Sequence, residues 1–138
     1  MKEEIKTLAE SFNIRHKLYF AGLQKDVMPY LSIMDIGVNC SEKEGLSNAI
    51  MEYMAAGVPC VVSNAGGNTD LITHNVNGYT FELDDYKTLA ALTLKLLDDQ
   101  KTRRNVVKHA REKVEREMTV DAMLFNYDNL YQRLAEKS

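Results

Sequence analysis

Apolar positions along this chain switch repeatedly between helical and strand-like spacing. Ile5, Leu8, Ala9 and Phe12 share one face of a helix over 2–13, ended at Asn13. Lys17–Gly22 reads as a short strand and Gly22–Lys25 as a loop. Asp26 caps a helix over 27–33 with Val27, Tyr30 and Leu31 inward. Further strands are expected at Ile36–Cys40, Cys60–Ser63 and Tyr79–Glu82. A helix over 47–56 links the first two of these. Asn64–Asn68 forms a loop, followed by a short helix over 69–73 and a turn over Asn75–Gly78. Asp84 or Asp85 caps a helix over 86–98 that buries Leu89, Leu92, Leu96 and Leu97. A charged helix over 101–117 follows, and Thr119 caps the last helix, 120–135.

Strands alternating with helices predict an α/β fold, a Rossmann-like parallel sheet flanked by helices. One domain over 1–138 accounts for the whole chain. In such sheets ligands bind beyond the carboxyl ends of the strands. The loops there are 22–25, 41–46 and 64–68.

Composition narrows the classes. Apolar residues make up 45% and charged residues 27%, as in globular domains. A net charge of −3 argues against general nucleic-acid binding. No apolar run has the length of a membrane span, and the start lacks a signal-peptide pattern. Cys40 and Cys60 are expected as buried, reduced thiols of a cytoplasmic protein, without metal-like spacing to His16, His74 or His109.

The stretch richest in chemistry is Glu44–Glu52. Leu46, Ala49, Ile50, Tyr53 and Met54 form a buried stripe, and Glu44, Asn48 and Glu52 fall opposite it, four residues apart. Ser47 is the expected N-cap, Gly57 the C′ residue and Pro59 the stop. A helix N-terminus presents free N–H groups and partial positive charge, which suit phosphate. A carboxylate before it and another two turns along can each accept from hydroxyls. Together they suit a ligand with sugar hydroxyls at both ends and phosphate between; two ordinary solvated glutamates are the alternative.

Surrounding residues resemble retaining glycosyltransferases of the GT4 type, which have the GT-B fold. Glu44 and Glu52 match the family's pair of glutamates separated by seven residues, and Ala55-Ala56-Gly57-Val58-Pro59 matches its Ala-x-Gly-x-Pro run. Tyr19-Phe20-Ala21-Gly22, Gly66-Gly67 with Asp70-Leu71-Ile72, and Asn77-Gly78-Tyr79 match further segments in the family's order. The resemblance implies a partial C-terminal, donor-binding domain lacking its first two strands and first helix. It implies transfer of a hexose from a nucleotide-diphosphate sugar with retention, without metal or other cofactor.

Carried over residue by residue, Glu44 would be the catalytic carboxylate, holding a donor-sugar hydroxyl. Gly45, Leu46 and Ser47 would offer backbone N–H groups to sugar or phosphate. Glu52 would accept from the ribose, Gly22 and Leu23 would lie near the base, and Gly66 and Gly67 would edge the cleft. The chain departs from the family's pattern at Asp70, where Glu is usual, and at Leu46, where an aromatic is common. The family's basic pair that grips diphosphate, and its acceptor domain, have no counterpart in these residues.

Two functional classes follow. One is the donor-binding part of a transferase, inactive alone. The other is a non-catalytic sugar-nucleotide-binding or partner subunit of a two-chain transferase. With the middle strands absent, the segments near 18 and 37 either pair directly, are bridged by another chain, or leave the domain poorly stable. The last helix carries Met123, Tyr127, Leu130, Tyr131 and Leu134 as a stripe, exposed or paired in a homodimer if the second domain is absent. The basic residues of 101–117 leave open weak contact with the inner face of a membrane, although interleaved glutamates favour a solvated face.

Overall fold

The computed structural model describes residues 1–136. Its centre is β2, Cys60–Ser63, buried at every position. A strand covered on both faces needs an apolar run rather than an alternating one, and Cys-Val-Val-Ser meets that need. β1, Gly37–Asn39, and β3, Tyr79–Phe81, flank it in parallel. Gly37 pairs with Cys60, and Val61 with Tyr79.

Successive side chains of β2 point to opposite faces, and this divides the core in two. Cys60 and Val62 join Ile50 and Met54 of α3, Asn48–Ala56, with Leu71, Ile72 and Ala110. Val61 joins Tyr79, Phe81, Leu96 and Val106 on the other face. Leu96 belongs to α5, Tyr86–Asp98; Val106 and Ala110 belong to α6, Gln100–Glu117. One helix, α6, therefore ties both halves of the core together. Full burial of an aliphatic side chain contributes about 1.5–3 kcal/mol. Gly57 ends α3 at φ +76, and the Arg111 guanidinium of α6 lies over it, donating to Ala56 O at 3.1 Å. The remaining elements are α1, Lys2–Ser11; α2, Met28–Leu31; α4, Asn68–Leu71; and α7, Val120–Ala135.

Several expectations need correction. Lys17–Gly22 is not a strand: Arg15–Lys17 is a 3-10 turn, and Leu18 is extended but lies outside the sheet. An extended segment becomes a strand only when a neighbour takes its N–H and C=O groups, and among the described residues β1 pairs only with β2. The segments near 18 and 37 therefore do not pair directly. The helix expected over 27–33 shortens to one turn, although Asp26 does accept from Met28 N–H at 3.0 Å. Of the α1 face only Ala9 is buried; Ile5, Leu8 and Phe12 are exposed because no element lies over them. Leu46 precedes the α3 axis and stands exposed, as does Leu97 at the end of α5. Cys40 is exposed, just past the end of β1, while Cys60 is buried. No residue of α7 is buried, so its stripe lies open along its length.

Candidate functional site

The loops that follow β1 and β2 meet backbone to backbone. Gly67 N–H donates to Glu44 O at 3.0 Å. A Cβ on Gly66 would lie 2.6 Å from Glu44 O, and one on Gly67 only 1.5 Å from Gly45 O. The glycine pair is thus required by the close approach of loop 41–46. Gly45 differs: a Cβ there would meet nothing within 4 Å.

At this junction stands Glu44, half-buried, with Oε1 accepting from Ser41 Oγ at 2.7 Å. Ser47 occupies the N-cap position of α3 with extended backbone, but its side chain does not cap the helix. Its Oγ instead accepts from Asn39 Nδ2 at 3.2 Å, and Asn39 Oδ1 accepts from Ser41 N–H at 2.9 Å. The first turn of α3 therefore keeps N–H groups without a side-chain cap, beside exposed Gly45 and Leu46. Glu52 lies exposed on α3, about 7 Å further along the axis at the rise of a helix.

Glu44, Gly45, Leu46, Gly66 and Gly67 are thus gathered on one open ledge, with Ser47 buried beneath it and Glu52 exposed further along α3. Gly22 and Leu23 make none of the hydrogen bonds that join the ledge. Gly22 adopts φ +70 and Leu23 is fully exposed, lining a groove of about 700 Å³ with Gln24, Pro29, Tyr30 and Ile33. Sequence reasoning missed Asn39, Ser41, Ser63 and Asn68, the polar side chains that hold the ledge. Their signal was small hydrogen-bonding residues at the strand ends, where an apolar run stops.

Burial pushes the Cys60 thiol up to about 12, so it is no nucleophile. Burial first, and then neighbouring thiols and Glu52, raises the Tyr53 phenol. Among the described residues no three His, Cys, Asp or Glu side chains gather as metal ligands. No described helix is long and apolar enough to cross a membrane.

Residues 1–113 match the profile of the family described as glycosyl transferases group 1. The chain is 32% identical over 124 residues to the N-acetyl-alpha-D-glucosaminyl L-malate synthase of Bacillus anthracis, covering 90% of this chain and 32% of that protein. It superposes on the C-terminal domain of the Francisella tularensis group 1 glycosyl transferase LpcC with a TM-score of 0.77 and 23% identity, over 86% of this chain and 63% of that domain. The Anabaena protein HepE in complex with UDP-glucose gives a TM-score of 0.82 at 21% identity, over 97% of this chain and 36% of that one. The chain spans about a third of the length of the curated synthase.

Proposed function

The chain belongs to the glycosyl transferases group 1 family, and from that premise we propose that it is the donor-binding part of a retaining glycosyltransferase, inactive alone. The observation that carries this reading is the open ledge. Glu44 is braced at the mouth of an α3 N-terminus without a side-chain cap, and Gly45 has space that nothing in the folded chain fills. A nucleotide-diphosphate hexose fits it: Glu44 accepts from a sugar hydroxyl, and the N–H groups near 45–47 face the sugar or diphosphate. Glu52 accepts from the ribose. Donors fixed before reaction would offset charge developing on the leaving diphosphate, so the reaction needs no metal or further cofactor. Gly22 and Leu23 lie near the base and touch it largely through backbone. The protein works on the cytoplasmic side, with at most weak membrane contact.

A second reading, a non-catalytic sugar-nucleotide-binding partner of a two-chain transferase, is favoured by the open outer side of β1 and the bare faces of α1 and α7. Both readings keep the donor site. Calorimetry with UDP-, GDP- and ADP-glucose tests it. Saturable binding is expected, weakened about tenfold by Glu52→Ala, in line with loss of a charge-assisted hydrogen bond. A folded protein that binds none of the three overturns the donor-site reading.

A further inference from the structure

The ledge rests on a chain of hydrogen bonds that begins in the core. Asn68 is fully buried. Its Nδ2 donates to Ser63 Oγ at 3.1 Å and to Ser63 O at 3.3 Å. Ser63, also fully buried at the end of β2, donates through Oγ to Ser41 O at 2.6 Å. Ser41 then donates through its own Oγ to Glu44 Oε1. The links from Asn68 to Ser63, from Ser63 to Ser41 and from Ser41 to Glu44 all donate in the same direction, toward the carboxylate. The Asn68 and Ser63 bonds strengthen one another in the buried interior, and they act on the Ser41–Glu44 bond by fixing the Ser41 backbone that carries its hydroxyl.

Asn68 is only partly satisfied. Its Oδ1 finds no hydrogen-bond partner among the described residues, a cost that its two bonds to buried Ser63 must offset. Its amide does reach the carbonyl end of β2 and the hydroxyl that grips loop 41–46. We propose that Asn68, acting through Ser63 and Ser41, is a positioning residue that sets the Glu44 carboxylate for the donor sugar. This rests on the donor-site reading. Ser41 holds Oε1, which orients the carboxylate and leaves Oε2 to accept from the sugar. The relay touches the sugar end of the donor and leaves the nucleotide end alone.

UDP-glucose and UDP are the probes, titrated by calorimetry against the wild type, Asn68→Leu, Ser63→Ala, Ser63→Thr and Ser41→Ala. Amide exchange at Gly67, whose N–H holds Glu44 O, is read in the ligand-free proteins. Asn68→Leu, Ser63→Ala and Ser41→Ala are expected to weaken UDP-glucose about tenfold and to leave UDP within twofold. Ser63→Thr, which keeps the hydroxyl, restores binding. Gly67 exchange speeds up in Asn68→Leu and Ser63→Ala while the amides of β2 keep their protection. Equal weakening of both probes marks a merely structural role and overturns the proposal. Unchanged Gly67 exchange overturns it too, even in a protein that binds neither probe. Failure of the wild type to bind UDP-glucose, with Gly67 exchange responding as expected, sinks the donor-site reading and leaves the relay standing as a brace for the loop.

Discussion

Residues 1–36 and 37–118 have similar patterns of apolar spacing and very different fates. In the second region each pattern finds a partner: β2 is enclosed by β1, β3, α3, α5 and α6. In the first, only Ala9 and Leu31 are buried, and the segment expected as a strand lies outside the sheet. The difference shows that amphipathic spacing specifies a face, whereas burial depends on what covers that face. A helix such as α1 satisfies its own backbone without a neighbour, although at ten residues it gains little stability from that alone. A strand cannot, because its hydrogen bonds lie outside itself.

The largest test of this contrast is a pair of truncations. Ile50→Ala should cost about 2–5 kcal/mol, because it opens a cavity in the α3–β2 core. Phe12→Ala, on the bare face of α1, should stay within about 0.5 kcal/mol. Urea midpoints measure both. A Phe12→Ala loss equal to that of Ile50→Ala would show that α1 packs on the core in solution and would erase the distinction.

How much of this was legible in the sequence divides along the same line. The order of elements from Gly37 onward, an aspartate cap at Asp84 or Asp85, the cap at Thr119 and the break at Gly57 all rest on local chemistry and were readable, and the structure settles the first cap on Asp85. So was the helix over 47–56, whose Glu52 sits away from the Ile50–Met54 stripe. The non-strand at 17–22 was not readable, because its backbone partners are not encoded in its own residues. Exposure of Cys40 was not readable either: strand-end position decides it, and boundaries blur by a residue or two. The relay through Ser41, Ser63 and Asn68 joins residues 22 and 5 positions apart in sequence, and only the crossover of β1 and β2 brings them together.

A chemical probe sharpens the contrast within the ordered half. Cys40 lies just past β1 and is exposed, while Cys60 begins β2 with its thiol pushed up to about 12 by burial. Iodoacetamide at neutral pH should alkylate Cys40 in the native protein. Cys60 should react more than about a thousandfold more slowly, because global opening at about 5 kcal/mol or more exposes it rarely, and both should react in denaturant. Mass spectrometry of timed samples distinguishes them. Equal rates at the two sites would mean that β2 opens locally, and that the sheet is no firmer than residues 1–36.

The smallest effect is set by pH. Asp85 and Asp99 cap α5 and α6, accepting from Thr88 and Thr102 N–H, each at 3.0 Å. Hydrogen bonds from the Thr88 and Thr102 side chains first, and then from their backbone N–H groups, hold both carboxyls below the ordinary value. The folded state thus binds these protons less readily than the unfolded chain. Their contribution is present above the ordinary carboxyl pKa of 3.8 and is lost as pH falls through the lower folded values. In α1, Glu3 is likewise held below its ordinary value, first by its hydrogen bond from Lys6, but that helix buries only Ala9. The double variant Asp85→Asn/Asp99→Asn should flatten the acid limb of the urea midpoint below about pH 4, whereas Glu3→Gln should leave the limb unchanged. If Glu3→Gln flattened it as much, α1 would have to melt together with the sheet, and residues 1–36 would belong to the same cooperative unit as the core.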